Sequence, residues 1–408
     1  MTSTNTHQEL DQDAHILSTT FSKSVIRSRE AFTYDQAQIR IDDRFVFFSL
    51  TAGHVTNSCV SSFQDDLTTG MRLLLMLSKK FKKRRMDAGA LNLASPEVKV
   101  HVESETSDPV DIETKKLQET NSLIEEFMLL ANVTAARKIF DTFPQTALLR
   151  RHGTPPRTSF AELQKQLKVR KGMLLRIETS HELADSLDIC VDPNEPFFNT
   201  LVRILATRCM LAAEYFYSGS QGYPEYLHYG LAEEIYTHFT SPIRRYADVV
   251  VHRQLAAAID YEQVDSSLHS QGKLEMVCKN LNVRHRNAQF AGRASIEYYV
   301  GQVLKNHETE EEGFVMKIFS NGFVVFVPRF GIEAVIRAQE LDGSQDQGVV
   351  YDAEKYVLTI ERSNERKPKW NIGLFDKVVV RVRNIKEEST GKRKIKFDLV
   401  AVGGKLDV

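Results

Sequence analysis

No apolar run in this 408-residue sequence reaches membrane-spanning length, and its first residues are polar, so neither a transmembrane helix nor a signal peptide is expected. Cysteine is scarce. The four thiols, Cys59, Cys190, Cys209 and Cys278, include no C-x-x-C pair and no nearby histidine at zinc spacing. A disulfide framework and a structural zinc are therefore not expected, and reduced thiols suit a cytosolic or nuclear setting. An excess of one charge is also lacking, since 53 Lys and Arg face 54 Asp and Glu. Any polyanion must be held by a local patch and not by the net field, so bulk charge neither supports nor excludes RNA. What is present is 42% hydrophobic residues, enough to bury a full core in a chain most simply read as two domains.

Apolar residues recur at three-to-four spacing through 73–81, 117–140, 198–216 and 274–304, which predicts a mainly helical first domain over 1–304. After Lys305 the character changes. Residues 313–319 and 322–328 are β-rich and flank Asn321-Gly322, a strong hairpin signal. Further short strands are expected over 332–336, 355–360, 377–385 and 392–399, and such a run of strands suits a small closed barrel of the OB type over 305–402. The fold class is α+β. Polar, mobile loops are expected at 342–348 and 362–369. Residues 44–64 (RFVFFSLTAGHVTNSCVSSFQ) interrupt a polar helical pattern with an apolar stretch of no clear period, a loop or a buried strand on its own terms.

The segment YTHFTSPIRRYAD, residues 236–248, reads as a helix start with Thr240 or Ser241 as N-cap and Pro242 at the first helical position. Arg244 and Arg245 then fall in the first turn, where the helix dipole disfavours cations. A structural reading compensates them through Arg244 to Asp248 at i,i+4 and through Glu233-Glu234 upstream. A functional reading joins the free N–H groups at Ser241 and beyond to two guanidinium forks as a phosphate site, with His238, Phe239 and Tyr246 available to a nucleotide. Spacing leaves both open. In SLIEEFMLLAN, residues 122–132, apolar residues occupy nearly the whole helical circumference, so the glutamates need partners. Glu125 is either half of a capping box with Ser122 or a carboxylate accepting a ribose hydroxyl, the contact that separates RNA from DNA. The basic run KKFKKRR at 79–85, and Lys279, Arg284, Arg286 and Arg293, are solvated helix faces or RNA contacts; the first also fits a nuclear import signal.

At HYGLAEEIYTHFTSPIRRYADVVVHRQL the sequence resembles the RNase II (RNB) family of exoribonucleases. GALNLASPEV, SDPVDIETKKLQETNSLIEEFMLLANVTAARKI, ALLRRHGTPP and FNTLVRILATRCM are similar to its eukaryotic branch, the catalytic subunit of the RNA exosome. The likeness runs from about Glu9 to Leu399 except at 44–64, and implies the carboxy-terminal portion of the RNB domain followed by an S1-like OB fold. It implies 3′-to-5′ hydrolysis of threaded single-stranded RNA, with two metal ions organising water and leaving group. By motif, Arg244 would bind the scissile phosphate as the catalytic arginine, and Glu125 would hold the terminal ribose. Tyr34 would position the terminal base, and Leu93 stands where bacterial relatives place a stacking aromatic. Ser241, Arg245 and Tyr246 complete the RNA-binding set. No carboxylate role transfers to Gly292, where some bacterial relatives carry an acid.

The resemblance also exposes an absence. The family holds Mg²⁺ through a D-P-x-x-x-x-D-I-D-D type motif that does not occur here, and Asp185, Asp188 and Asp192 give no matching spacing. No metal site is therefore expected in this chain, which is expected to be inactive alone. In relatives the A-Q-x-R-I-D region runs almost directly into D-D-L-T, so 44–64 is read as an insertion of translated intron, and the start at Met1–His7 as that of a fragment or gene model. Single-stranded RNA and exosome core subunits are the expected partners, with no membrane and no DNA, in the nucleus with some cytoplasmic presence. An inactive RNA-holding remnant is the alternative reading.

Overall fold

The computed structural model describes residues 2–42, 66–93, 98–102, 109–114, 117–223, 225–305, 307–341, 348–361, 369–386, 391 and 393–403. The proposed insertion 44–64 and most of both loops expected to be mobile lie outside them. In chain order the elements are β1 Thr2–Leu10, β2 Ile16–Val25, α1 Tyr34–Ile41, α2 Asp66–Asp87, β3 Val98–Val102, β4 Pro109–Thr114, α3 Glu119–Thr142, β5 Leu148–Arg151, α4 Arg157–Lys171 and α5 Ser180–Ile189. There follow α6 Phe198–Arg208, β6 Glu214–Tyr217, α7 Tyr246–Ala258, α8 Ser266–His269, α9 Gln271–Val303 and β7 Thr309–Phe319. The remainder is β8 Gly322–Val327, β9 Ile332–Arg337, β10 Val349–Asp352, β11 Val357–Ile360, β12 Trp370–Gly373, β13 Lys377–Lys386 and β14 Arg393–Val402. No helix among the described residues is long and apolar enough to cross a membrane.

The chain divides into two compact units, one of residues 1–91, 116–153 and 212–283, the other of 92–115, 154–211 and 284–408. The first is built on α3 and α7. Ala135, Ala136 and Ile139 of α3 meet Val250, Val251 and Leu255 of α7 and Leu148 and Leu149 of β5 in one buried cluster, which α9 closes with Leu274 and Cys278. β5 pairs antiparallel with β6, Leu148 opposite Tyr217 and Arg151 opposite Glu214. The helix expected over 198–216 is therefore two elements. Helix α6 stops at Arg208 with Cys209 as C-cap, and after Leu211 the chain passes from the second unit into the first. There the 215–217 aromatics serve a strand ladder, so tertiary pairing overrides the helical period. The β1–β2 hairpin was not foreseen, because its strands are mostly exposed and carry little alternation.

In the second unit, five antiparallel strands run in the order β14-β13-β7-β8-β9, and β9 and β14 at the two edges lie against each other. The sheet thus curls toward a barrel, as expected. Every second residue points inward: Phe323, Val325 and Val327 of β8 and Val378, Val380 and Val382 of β13 are fully buried. Strands β10, β11 and β12 form a second, three-stranded sheet. Within this unit the helical part grips the barrel. Phe197 stacks on Phe314 at 4.9 Å, and Arg170 donates to Asp376 at 2.8 Å and to the Leu374 carbonyl at 3.2 Å.

The expected β7–β8 hairpin is present, but its glycine acts differently from a turn residue. Ser320 and Asn321 make the turn, whereas Gly322 is already in β8, opposite Phe319. A Cβ there would lie 3.1 Å from the Arg337 Cα and closer still to the Ile336 carbonyl oxygen, both backbone atoms of β9. Close strand approach is what excludes a side chain. Gly322→Ala is expected to destabilise the barrel by about 1–3 kcal/mol. Trp370 of β12, the sole tryptophan, reports this unit's unfolding. Its fluorescence melt should move down by several degrees, and an unchanged melt would contradict the packing described.

Candidate phosphate-binding site

Helix α7 starts at Tyr246 and not at Ser241: Arg245 occupies the N-cap position with extended backbone, φ −126° and ψ 118°. Ser241 closes a separate turn, its carbonyl accepting from the N–H groups of Arg244 at 3.2 Å and Arg245 at 3.1 Å. The cause is Asp248, whose side chain has no solvent exposure. A buried carboxylate must be fully paired. Its partners are the Ser241 N–H at 2.7 Å and the Arg245 fork, Nε at 2.8 Å and Nη2 at 2.7 Å. The arginine expected to reach Asp248 was Arg244, at i,i+4. The structure gives that place to Arg245, at i,i+3, because residues 242–244 are a turn and not helix. Arg244 is exposed and has no side-chain partner among the described residues. Ile243 and Tyr246 beside it are 96% and 59% exposed.

Upstream, the strip leading to this turn is held peptide by peptide. Tyr236 accepts through its carbonyl from the Arg150 N–H at 2.8 Å, and the Thr237 hydroxyl donates to the Leu148 carbonyl at 2.7 Å. Asn132 of α3 accepts the Phe239 N–H at 2.8 Å while donating to the Tyr236 hydroxyl at 2.9 Å. His252 of α7 stacks on Phe239 at 4.4 Å and lies 2.9 Å from its carbonyl through Nε2. The Tyr215 hydroxyl meets His238 Nδ1 at 2.6 Å. Beneath lies a line of buried and half-buried rings, His152, His228, Tyr236, His238 and Tyr215, with successive centroids 5.1–5.6 Å apart. Arg150 covers the Tyr215 ring at 4.6 Å, and burial lowers its guanidinium below the usual arginine value. The result is a hydrogen-bonded floor beneath a turn whose Arg244 has no partner among the described residues, a geometry suited to an anion.

The other predicted residues fall as follows. Helix α3 begins at Glu119, where the Gln118 N–H donates to Asn121 Oδ1 at 2.9 Å. The Ser122 capping box is therefore absent, and the Ser122 hydroxyl instead accepts from Lys82 at 3.1 Å. Glu126 turns inward, 3% exposed, and pairs with Arg85. Glu125 faces out, half exposed, with Arg85 Nη2 3.5 Å away. Tyr34 is the first residue of α1, capped by Thr33 and Gln36, and its carbonyl accepts from Thr120 of α3. Its ring is 47% exposed. These residues, Ser241 and Arg244 to Tyr246 belong to the first unit; Leu93, half-buried, belongs to the second.

Among the described residues no three His, Cys, Asp or Glu side chains gather to hold a metal ion. The nearest sequence imitation is dispersed. Asp188 pairs with Arg203, Asp192 with Lys171 at 2.8 Å, and Asp185 lies 3.7 Å from His181. Two hard cations need several oxygens converging, so these residues do not fit a divalent metal. Sequence reasoning named Asp248 but with the wrong arginine, and it missed Asn132, His252 and Tyr215. Asp248 alone left a signal, as an acid within a turn of both arginines.

An RNB domain family model matches residues 4–261, more than half of the chain, and an S1 domain model matches 309–397. Exosome complex exonuclease dis3 of Schizosaccharomyces pombe is 55% identical over 393 residues, covering 96% of this chain and 39% of that protein. Exosome complex exonuclease RRP44 of Homo sapiens is 43% identical over 393 residues, covering 96% and 38%. The chain thus spans about two fifths of the length of these relatives. Among solved structures, apo Mycoplasma genitalium RNase R superposes with a TM-score of 0.75 at 20% identity, over 96% of this chain and 57% of that one. Yeast Ssd1, described as a pseudonuclease, superposes at 0.70 and 18% identity, over 98% and 57%.

The ring line beneath the site gives it a pH dependence. His228 is pushed down to about 3, first by burial and then by His152 and Arg150, and its Nδ1 has no hydrogen-bond partner among the described residues. The folded state keeps it neutral while the unfolded chain takes up a proton near pH 6.5. Stability is therefore present above pH 6.5 and is lost progressively as the pH falls toward 3. His228→Phe keeps a ring and removes the titration. Urea midpoints for the variant should lose about one proton's worth of slope between pH 6 and 4; an identical slope would contradict a neutral buried His228.

Proposed function

The chain belongs to the RNB family, and on that footing we propose that it forms the RNA-holding, phosphate-binding part of a 3′-to-5′ exoribonuclease that degrades single-stranded RNA to nucleotides. The observation that carries this reading is Arg244, exposed and unpaired among the described residues on a turn that Asp248 ties down at Ser241 and Arg245. A guanidinium with no protein partner is available to a scissile phosphate and can stabilise the charge that develops on it. Glu125, outward-facing and not engaged in a cap, is available to a terminal ribose hydroxyl. Tyr34, Ser241 and Tyr246 would contact the nucleotides around it, and Leu93, which belongs to the other unit, is proposed separately as a residue that packs against a base.

The printed names of the relatives support association with the exosome; work in RNA processing and decay, in the nucleus with some cytoplasmic presence, is part of the proposal. An RNase R structure solved with ribose-methylated single-stranded RNA, TM-score 0.74, supports RNA as ligand. The family's chemistry requires a divalent metal, Mg²⁺ in this reading, held by aspartates that the described residues do not supply. This chain's own contribution is to bind, orient and stabilise charge. The second reading is an inactive RNA-holding remnant, because the aspartate motif that holds the metals does not occur in this sequence.

The test is hydrolysis of 3′-labelled single-stranded RNA. The chain alone with Mg²⁺ should bind RNA and release no mononucleotides. Extended by an RNB aspartate motif, it should release them. In that active form Arg244→Ala should depress cleavage by about 10²–10³-fold with a far smaller change in affinity. Equal losses in both would contradict a transition-state role, and failure of the extended protein to cleave would favour the remnant.

A further inference from the structure

We propose that Asp248 is a positioning residue, and that the adjacent arginines divide the labour: Arg245 locks the turn while Arg244 alone meets the RNA phosphate. The inference rests on the RNA-binding reading above and assigns the roles within its site. Both arginines follow Pro242 and carry the same charge, yet the geometry separates them. Two nitrogens of the Arg245 fork bind the two Asp248 oxygens, and Nη2 also lies 3.4 Å from the Thr240 hydroxyl. Its side chain is 19% exposed. Such a fork has little left to offer a ligand.

Asp248 also accepts the Ser241 N–H, so one carboxylate joins the first residue of the turn to the last. Between these anchors the backbone has no freedom to redirect residue 244. The neighbouring pins converge on the same segment: Asn132 holds the Phe239 N–H, and His252 faces the Phe239 carbonyl. Removing the charge of Asp248 therefore leaves the core of α7 intact while releasing the turn that aims Arg244.

Electrostatics alone gives the opposite expectation. An acid beside a phosphate site repels RNA, so Asp248→Asn should tighten binding if Asp248 were only a nearby charge. It should tighten further if Arg245 were a direct contact, because its fork would be freed. Positioning makes binding weaker. In the full chain, measured by anisotropy of labelled single-stranded RNA below the melting temperature of every variant, Asp248→Asn and Arg244→Ala should each weaken binding about tenfold. Each should flatten the dependence of log K on log salt by about 0.7, the loss of one phosphate contact. The double variant Arg244→Ala/Asp248→Asn should be no weaker than either single one.

Unchanged or tighter binding by Asp248→Asn would overturn the proposal, as would a full further loss when Arg244→Ala is added to it. A second measurement needs neither RNA nor a variant. Phenylglyoxal labelling of the wild-type chain, read by mass spectrometry, should modify Arg244 many times faster than Arg245, and equal rates would overturn the lock. If the wild-type chain binds no RNA, the functional reading falls while the labelling still decides the division between the two arginines.

Discussion

The buried carboxylate of Asp248 is the constraint on which the site depends. Removing an ionised carboxylate from water is costly unless every lone pair finds a donor. Satisfying this one requires the Ser241 amide, the Arg245 fork and the first turn of α7 to be in register together. The helix therefore begins four residues later than its Ser-Pro signal suggests, and the arginine left out of the ion pair is the one presented to solvent. Unit one repeats the device on α3. Glu126 turns inward to Arg85, and its neighbour Glu125 is left facing out. In both places a buried ion pair holds one residue inward and its neighbour of the same type faces solvent, Arg244 without a partner among the described residues and Glu125 at 3.5 Å from Arg85.

What the sequence made legible follows from the range over which each signal acts. Helix α9 is buried only near its ends, whereas the bodies of α2 and α3, and the barrel strands from β7 to β9 and at β13 and β14, show in local periodicity because one face of each is buried. Their ends do not. Ser241 and Pro242 carry a convincing cap pattern that the Asp248 pairing overrides, and Ser122 with Glu125 carries another that lies inside α3. Residues 198–216 keep an apolar rhythm across a break where the chain changes unit. Arg244 could be found by motif, but its separation from Arg245 could not, since i,i+3 and i,i+4 are equally good on a helix. Asn132 and His252 were hidden for a different reason: Asn132 is more than a hundred residues from Phe239 in sequence, and His252 reads as an ordinary α7 residue.

Fold and chemistry separate in this family. RNase R and the pseudonuclease Ssd1 superpose on the chain almost equally well, so the architecture cannot by itself decide turnover. What the chain contributes in the proposed function is a cationic turn for an RNA end, resting on hydrogen bonds that link α3, β5 and α7 to a single strip of backbone. Hydrolysis adds a requirement for converging carboxylates that no cluster among the described residues meets.

Where the RNA end sits is therefore the decisive question. A single-stranded RNA carrying 4-thiouridine as its 3′-terminal nucleotide, photo-crosslinked to the chain and mapped by mass spectrometry, answers it directly. The terminal nucleotide is expected on the peptide containing residues 236–248. Crosslinks confined to the barrel strands after Lys305, with none on that peptide, would contradict a phosphate site at Arg244.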